Sequence, residues 1–411
     1  MCKNPPPFWN ISQTMQSNTR TYLIQSILFI LTIFTTTMAG AEWMYGNIFT
    51  FVYDFFKYIG GESPEAKLIP HKGMGWQEFL SGFQFSIPFL VILTVHEFGH
   101  YFVARAHQVK VTLPYYIPLW FGFTQSIGTM GAFIRITSVV KSRLKFFDIG
   151  IAGPLAGFVV ALGVLWYGFT HLPPPEFIFT IHPEYAKYGL SYPQFVYENA
   201  PGGLILGDNI LFWLFKTYIA DPSRLPHANE MIHYPYLFAG YLALFFTSLN
   251  LIPIGQLDGG HVLYGLIGKK KFNFAAPILF GVFAFYAGFG IFRPDSFATG
   301  SNEVFYEQLF YLFLYIYFLY ICYRRITNNP RTSLMIGLII VVGQFALSYI
   351  RPDWEGYSGF LPFVFILGRF LGVKHPETEE NEPLDTPRII LGIIALIIFI
   401  ISFSPKPFIE L

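Results

Sequence analysis

The sequence predicts an all-α polytopic membrane protein with about 8–9 transmembrane helices and one membrane-dipping β or loop segment. Composition gives the first indication: of the 411 residues, 53% are hydrophobic and only 12% are charged. Soluble domains average about 25% charged residues. The mean hydropathy of +0.47 points the same way. Several apolar runs reach the roughly 18–20 residues that cross a bilayer.

Apolar runs predict the individual spans. A shorter run, 358–372, is either a further span or a partly inserted helix. Small residues after the first run would allow a cleavable signal peptide, but its long polar lead-in favours a retained signal anchor. The eight predicted spans lie near 21–39, 83–106, 147–169, 236–253, 273–292, 305–323, 333–349 and 388–403.

Basic residues orient these spans, because lysine and arginine concentrate in cytoplasmic loops. On this rule the run 83–106 ends inside and 147–169 runs outward. The chain must then return with 236–268, so the run 204–219 cannot also be a full span. We expect 204–219 to be an amphipathic helix on the outer surface. The three basic clusters are Lys141, Arg143 and Lys145; Lys269, Lys270 and Lys271; and Arg324, Arg325 and Arg331.

The segment 112–137 connects two basic ends that lie on one side of the membrane, so it should dip in and come back. It is rich in glycine, proline and aromatic residues with partial alternation, which favours strand or loop over helix. Irregular backbone at membrane depth survives only where protein or water covers it. We therefore expect this segment beside an internal cavity.

Charge and cysteine usage exclude some classes of partner and site. A net charge of +1 offers no basic field, so no nucleic acid is expected as a partner. Cys2 and Cys322 are too few for a disulfide framework or a thiolate metal site. The C-terminal third consists of further spans, which leaves no room for a nucleotide-binding domain. The run 374–388 is predicted to be a solvated acidic linker.

The stretch "ILTVHEFGHYFVARAH", residues 92–107, places ionisable groups inside an apolar span. Residues four apart share one face of a helix, so His96 and His100 can both face one metal ion, with Glu97 beside them. A metal in such a site lowers the pKa of bound water, and an adjacent carboxylate accepts its proton. Ionisable groups at membrane depth are rare and usually functional. The alternative is an interhelical hydrogen-bonding pair without metal.

A catalytic zinc site needs three protein ligands and one open position. Asp258, in "SLNLIPIGQLDGGHVLYGLIG" at 248–268, is the natural third ligand, because its negative charge offsets part of the charge of the metal. His261 is a rival ligand, although a histidine at a helix end is the simpler interpretation. Asn250 is either an amide that packs between spans or a hydrogen-bond donor to a bound peptide or a developing oxyanion.

The two motifs together, "HEFGH" at 96–100 and "LDGG" at 257–260, resemble the site-2 protease family of intramembrane zinc metalloproteases. "FDIGIAGPLAGFVVAL", 147–162, also resembles the span between these motifs in that family. The resemblance covers roughly 83–268. Many members carry a PDZ domain after the second core span, but the loop 170–203 is too short for a domain with its own core. The chain is therefore similar to the PDZ-less, many-spanning members.

The resemblance implies a role for each matching residue. His96, His100 and Asp258 match the ligands of one catalytic Zn²⁺, and Glu97 matches the general base. Asn250 matches an asparagine that holds the substrate strand. Gly128 and Gly131, in "GTMGAFIRI", lie in the stretch similar to the membrane-embedded β segment, where an unwound substrate could add as a strand; alternatively these glycines only allow tight packing.

The implied function is hydrolysis of peptide bonds in membrane-spanning or membrane-anchored protein substrates, in regulated intramembrane proteolysis. The organisation expected is an N-terminal signal anchor and outer segment (1–82), a catalytic core (83–268) and C-terminal spans with the acidic linker (269–411). We expect an integral protein of the bacterial inner membrane, with its active site toward the cytoplasm.

Three other functions compete with this one. A divalent-metal transporter with intramembrane His and Asp ligands would need a through-path, and the other spans have no further histidine and few acidic residues. A di-iron desaturase or hydroxylase would need clustered histidine boxes, which the remaining histidines do not form. An inactive homologue that binds membrane clients would not need the intact set of four catalytic positions.

Overall fold

Long apolar runs form long helices here, because a helix satisfies every backbone hydrogen bond within its own segment. The computed structural model describes residues 8–46, 75–122, 125–197, 203–297 and 302–410. Its α-helices are α1 (Phe8–Tyr45), α2 (Trp76–Ser81), α3 (Phe83–Ala106), α4 (Arg143–Thr170), α5 (Ile178–Ile181), α6 (Tyr192–Val196), α7 (Ile210–Tyr218), α8 (Pro235–Asn250), α9 (Asp258–Gly288), α10 (Asn302–Thr327), α11 (Pro330–Ile350), α12 (Leu361–Phe365) and α13 (Thr386–Ser402).

Six helical stretches in the described part of the chain are long and apolar enough to cross a bilayer: Thr19–Tyr45, Trp76–Ala106, Arg143–Thr170, Asp258–Gly288, Asn302–Thr327 and Pro330–Ile350. The chain is thus a mostly helical, polytopic membrane protein. Two of the predicted spans, 236–253 and 388–403, are the shorter helices α8 and α13, with 16 and 17 residues. The run 358–372 combines 3₁₀, α and π turns. The described part of the chain therefore has six helices that are long enough to span a bilayer, whereas about 8–9 spans were predicted.

The helix α9 begins about fifteen residues before the span predicted at 273–292. Asp258 opens this helix, and the backbone breaks at Gly268, where φ is +76°. Such a left-handed conformation favours glycine, which has no Cβ to clash. The chain thus turns after α8 and re-enters the bundle with Asp258 in the first turn of a new helix.

Strands occur in two small antiparallel pairs among the described residues. β1 (Tyr115–Leu119) pairs with β2 (Gly128–Phe133), with an irregular register between Tyr116 and Pro118. This hairpin comes from the segment predicted as strand or loop, and it packs on α1, with β2 also against α3. Its depth in a bilayer stays a prediction. β3 (Leu204–Leu206) pairs with β4 (Phe408–Glu410), near the chain's C-terminal end.

Two segments differ from their predictions. The run 204–219 begins as β3, and only Ile210–Tyr218 is helical, because the Asn209 side chain accepts a hydrogen bond from the Phe212 N–H and starts the helix there. The predicted solvated linker is partly packed: residues 374–385 lie over the ends of α4 and α9. Three of its side chains, His375, Thr378 and Leu384, are buried.

Most of the buried apolar residues in the described part of the chain belong to two large groups. One joins α3, α4 and α8, with the fully buried Phe85, Phe147 and Tyr241. The other joins α9, α10, α11 and the 358–372 segment around Phe280 and Phe360. The polar motifs of α3 and α9 face each other beside the first group.

Candidate metal centre

Three electron-pair donors converge between α3 and α9. His96 and His100 are one turn apart on α3, with their Nε2 atoms 3.1 Å apart. Asp258 Oδ2, from the first turn of α9, lies 3.5 Å from His96 Nε2 and 3.4 Å from His100 Nε2. These three residues form one of two groups of potential metal ligands among the described residues. Both histidines are buried.

The hydrogen bonds of His100 determine which ring nitrogen is free. Its Nδ1 lies 2.7 Å from the carbonyl oxygen of Ile149 on α4, and a carbonyl can only accept, so Nδ1 carries the proton. The Nε2 atom then presents its lone pair toward Asp258 and His96. A metal-binding histidine is typically fixed in this way, with its second ring nitrogen donating to a carbonyl or carboxylate.

Glycines on α4 make room for these rings. A Cβ at Gly153 would overlap the His100 imidazole, and one at Gly157 would lie 3.0 Å from His96 Cβ. Small residues four apart let two helices approach closely. The spacing in "GPLAG" at 153–157 therefore places α4 against the histidine face of α3.

The arrangement fits a tetrahedral divalent metal. With ligand bonds of about 2.0–2.1 Å, two ligand atoms of a tetrahedron are about 3.3–3.4 Å apart. The separations here are 3.1, 3.4 and 3.5 Å. Two imidazoles and one carboxylate are a ligand set that zinc uses in catalytic sites. Without a cation between them, the Nε2 lone pairs of His96 and His100 and the Asp258 carboxylate would repel one another at these distances.

Glu97 borders the same cavity of about 270 Å³ as the three ligands. Its side chain is buried, at 5% exposure, and the carboxylate accepts a hydrogen bond from the backbone of Ile134, just after β2. The hairpin thus fixes the carboxylate beside the ligands. A buried carboxylate in this position can exchange a proton with a water in the cavity.

The other predicted site residues fall in different places. Asn250, at the end of α8, borders the cavity with its Nδ2 3.4 Å from His96 Nε2. Gly128 packs on α1, where the Thr35 hydroxyl donates to its carbonyl oxygen at 2.7 Å. Gly131 has open space around its Cβ position and φ of +100°. Neither glycine borders the cavity; Ala132 and Phe133 at the end of β2, and Ile134 just after it, do.

His261, the rival ligand, points its Nδ1 at His375 instead of at the ligand group, at 2.7 Å from His375 Nε2. His375 donates from Nδ1 to the Pro376 carbonyl, so its Nε2 accepts a hydrogen bond from His261 Nδ1–H. Burial lowers the pKa of His375 to about 3, which keeps this ring neutral. The His375 ring also stacks on Tyr264, with centroids 3.8 Å apart.

Sequence reasoning missed three contributors to the site: the glycines of α4, the carbonyl of Ile149 and the buried His375. The small-residue spacing at 153–157 was a readable signal for the first. The linker gave none, because its acidic composition predicts exposure. Its contacts instead depend on tertiary packing across more than 100 residues.

Comparison with known proteins assigns the chain to a family. The sequence model of peptidase family M50 matches residues 84–289, half of the chain. The chain belongs to peptidase family M50. This match contains all three potential ligands, Glu97 and Asn250.

Curated relatives of this M50 chain are plant proteins. It is 28% identical over 250 residues to "Probable zinc metalloprotease EGY1, chloroplastic" of Oryza sativa subsp. japonica, covering 60% of this chain and 38% of the relative. The Arabidopsis thaliana protein of the same name is 28% identical over 264 residues, covering 64% and 43%. "Probable zinc metalloprotease EGY2, chloroplastic" of Oryza sativa subsp. indica is 30% identical over 179 residues, covering 44% and 28%.

The chain spans about two fifths of the length of the two EGY1 relatives. No solved structure matches it at a significant level. The relatives' names place those proteins in chloroplasts, and they give no support to the bacterial inner membrane expected from the sequence.

Proposed function

We propose that this M50 chain is an intramembrane zinc metalloprotease that hydrolyses peptide bonds of membrane-spanning or membrane-anchored protein substrates, in regulated intramembrane proteolysis. The observation that carries the proposal is the convergence of His96, His100 and Asp258 with Glu97 in one buried cavity. Family membership favours proteolysis over divalent-metal transport. The names of the relatives support one zinc ion as the cofactor.

His96 and His100 would hold the zinc through Nε2 and Asp258 through its carboxylate. Zinc bound in this way polarises a peptide carbonyl and makes bound water more acidic. Glu97 accepts the proton of the attacking water as the oxygen–carbon bond forms. As the carbon–nitrogen bond breaks, Glu97 returns this proton to the leaving amine.

A transmembrane substrate must be unwound before water can reach its backbone, because every amide in a helix is already hydrogen-bonded. Ala132, Phe133 and Ile134, at and just after the end of β2, border the cavity, and an extended substrate would add as a strand along them. Asn250, whose Nδ2 lies 3.4 Å from His96 Nε2, would donate a hydrogen bond to the substrate carbonyl. Gly128 and Gly131 would act indirectly, by allowing the turns that hold this strand against α1 and α3.

We assign residues 83–268 to the catalytic core, 1–82 to an N-terminal anchor and outer segment, and 269–411 to C-terminal spans with the acidic linker. The segment carrying β1 and β2 would dip into the membrane next to the cavity. The basic residues beside the site support an active site toward the cytoplasmic side of an integral membrane.

Glu97→Gln tests the proposal, because it keeps the shape of the side chain and removes its basicity. The purified protein is incubated in detergent with a model substrate carrying one transmembrane segment, and cleavage is followed by mass spectrometry. We expect at least a 100-fold loss of cleavage with zinc content unchanged. Glu176→Gln, which alters an exposed carboxylate in the loop after α4, is the control and should cleave normally.

Membrane fractions of cells that express either variant extend the test to natural substrates. Membrane-bound fragments should accumulate with Glu97→Gln relative to wild type. Equal fragment profiles, together with equal cleavage in vitro, would overturn the proposal. Metal flux into proteoliposomes that is equal in wild type and Glu97→Gln, without any cleavage, would instead support transport.

A further inference from the structure

A second group of potential metal ligands lies outside the proposed active site. His182 follows α5, and Glu230 and His233 lie in the 3₁₀ helix Ala228–His233 before α8. The two Nε2 atoms are 3.3 Å apart, and Glu230 Oε2 lies 3.9 Å from His182 Nε2 and 3.6 Å from His233 Nε2. These separations resemble those among the ligands of the first centre.

Hydrogen bonds fix the free nitrogen of both rings. His233 Nδ1 lies 2.7 Å from the carbonyl oxygen of Trp43, so it must donate. His182 Nδ1 lies 3.1 Å from the Glu184 carboxylate, which also only accepts. When each ring carries its single proton on Nδ1, the lone pair of Nε2 faces Glu230. A direct histidine–histidine hydrogen bond would require one ring to carry a second proton.

The Glu230 carboxylate is buried, and one of its two oxygens has no hydrogen-bond partner among the described residues. The side chain is 1% exposed, and the Tyr197 hydroxyl donates to Oε1. Oε2 is buried without a hydrogen-bond partner among the described residues and is aimed at the two imidazoles. A buried carboxylate oxygen without a partner is strongly unfavourable unless a cation or proton compensates it.

This group lies at the other end of the bundle from the first centre. The helix α8 starts two residues after His233 and ends at Asn250, and its 16 residues extend about 24 Å. The three ligands come from two segments that are 51 residues apart at His182 and His233, and His233 also contacts Trp43 at the end of α1. A cation here would join the connection after α4 to the start of α8.

We propose that His182, Glu230 and His233 form a second metal site, which binds one divalent first-row transition cation and holds the connection after α4 against the start of α8. The His182 side chain is 28% exposed and leaves a route for the cation to enter. Two imidazole nitrogens and a carboxylate suit Zn²⁺, which is the probe for the test. Glu184 and Tyr197 orient the ligands as hydrogen-bond partners.

The test counts zinc in the full-length protein after purification in detergent, zinc loading and desalting. A His96→Asn/His100→Asn background removes the first centre and leaves the second intact. We expect one zinc per chain in this background by elemental mass spectrometry. Adding His182→Asn, or separately Glu230→Gln, should weaken zinc binding at least tenfold. His171→Asn, which alters a surface histidine in the same connection, should leave the zinc count at one.

Thermal unfolding provides a second measurement that does not depend on metal analysis. Zinc should raise the melting temperature of the His96→Asn/His100→Asn background, and the rise should grow with zinc concentration. Glu230→Gln, which keeps the volume of the side chain, should abolish this shift while the protein remains monodisperse. No zinc in a folded background protein, or equal zinc binding with and without His182→Asn, would overturn the proposal. Neither result bears on cleavage, which the Glu97→Gln comparison tests separately.

Discussion

At the scale of single residues, the first centre depends on Gly153, which has no side chain, as much as on its ligands. His100 donates from Nδ1 to the carbonyl of Ile149, four residues before Gly153 on the same helix. The imidazole then occupies the volume in which a Cβ of Gly153 would lie. Any residue other than glycine at position 153 would place its Cβ inside the imidazole. Glycine therefore lets α4 lie close enough to the ring for the Ile149 carbonyl to accept the hydrogen bond.

Gly153→Ala should therefore disable the centre without removing any ligand. Overpacking at a buried contact costs about 1–3 kcal/mol, and here the added methyl group displaces the imidazole itself. We expect zinc content at the first centre and cleavage to fall at least tenfold. Gly163→Ala, on the same helix with open space at the Cβ position, is the matched control and should change stability by less than about 1 kcal/mol. Equal zinc content in the two variants would contradict this explanation.

At the scale of elements, the short first segment of α9 carries Asp258 and needs support at both ends. At its start, Gly259 lies so close to the turn after α8 that a Cβ would overlap the Leu251 carbonyl. At its end, before the break at Gly268, the Arg143 guanidinium donates from Nε and Nη2 to the carbonyl of Gly265, at 3.1 and 2.6 Å. A cation is favourable at the C-terminal end of a helix, where carbonyls lack partners.

Arg143→Met tests this support. Loss of the charged hydrogen bonds should lower the free energy of unfolding by about 1–2 kcal/mol, measured by chemical denaturation in detergent. Without these hydrogen bonds the first segment of α9, which carries Asp258, should be held less firmly, and zinc binding at the first centre should weaken. Lys270→Met, which removes an exposed charge beyond the break in the same helix, should cause neither change. Indistinguishable unfolding of the two variants would show that the bond to Gly265 is dispensable.

The elements also show how far sequence reasoning reached. The four-residue spacing of His96 and His100 predicted two rings on one helical face, and the Gly- and Pro-rich stretch at 112–137 predicted strand or loop. These inferences needed only local periodicity and backbone chemistry. The start of α9 at Asp258 and the second ligand group could not be predicted in this way. The former depends on a turn packed against α8, and the latter joins His182 to residues about 50 positions later.

At the scale of the whole molecule, the bundle separates two polar centres by the length of α8. The first lies where α3 ends and α4 begins, beside the basic residues Lys141 and Arg143. The second lies where α4 has ended and α8 begins. Since α4 has 28 residues, about 42 Å of helix, its ends can reach opposite surfaces of a bilayer. The two centres would then face different compartments.

Cysteine labelling tests this arrangement in a Cys2→Ser background, in which Cys322 is fully buried. Lys141→Cys and Lys187→Cys place thiols at two exposed positions, before and after α4. In intact bacterial cells that express the protein, a membrane-impermeant maleimide should label Lys187→Cys at once. It should label Lys141→Cys only after permeabilisation, because the basic residues near it favour the cytoplasmic side. The reverse pattern would invert the proposed orientation, and labelling of both in intact cells would contradict a membrane-spanning α4.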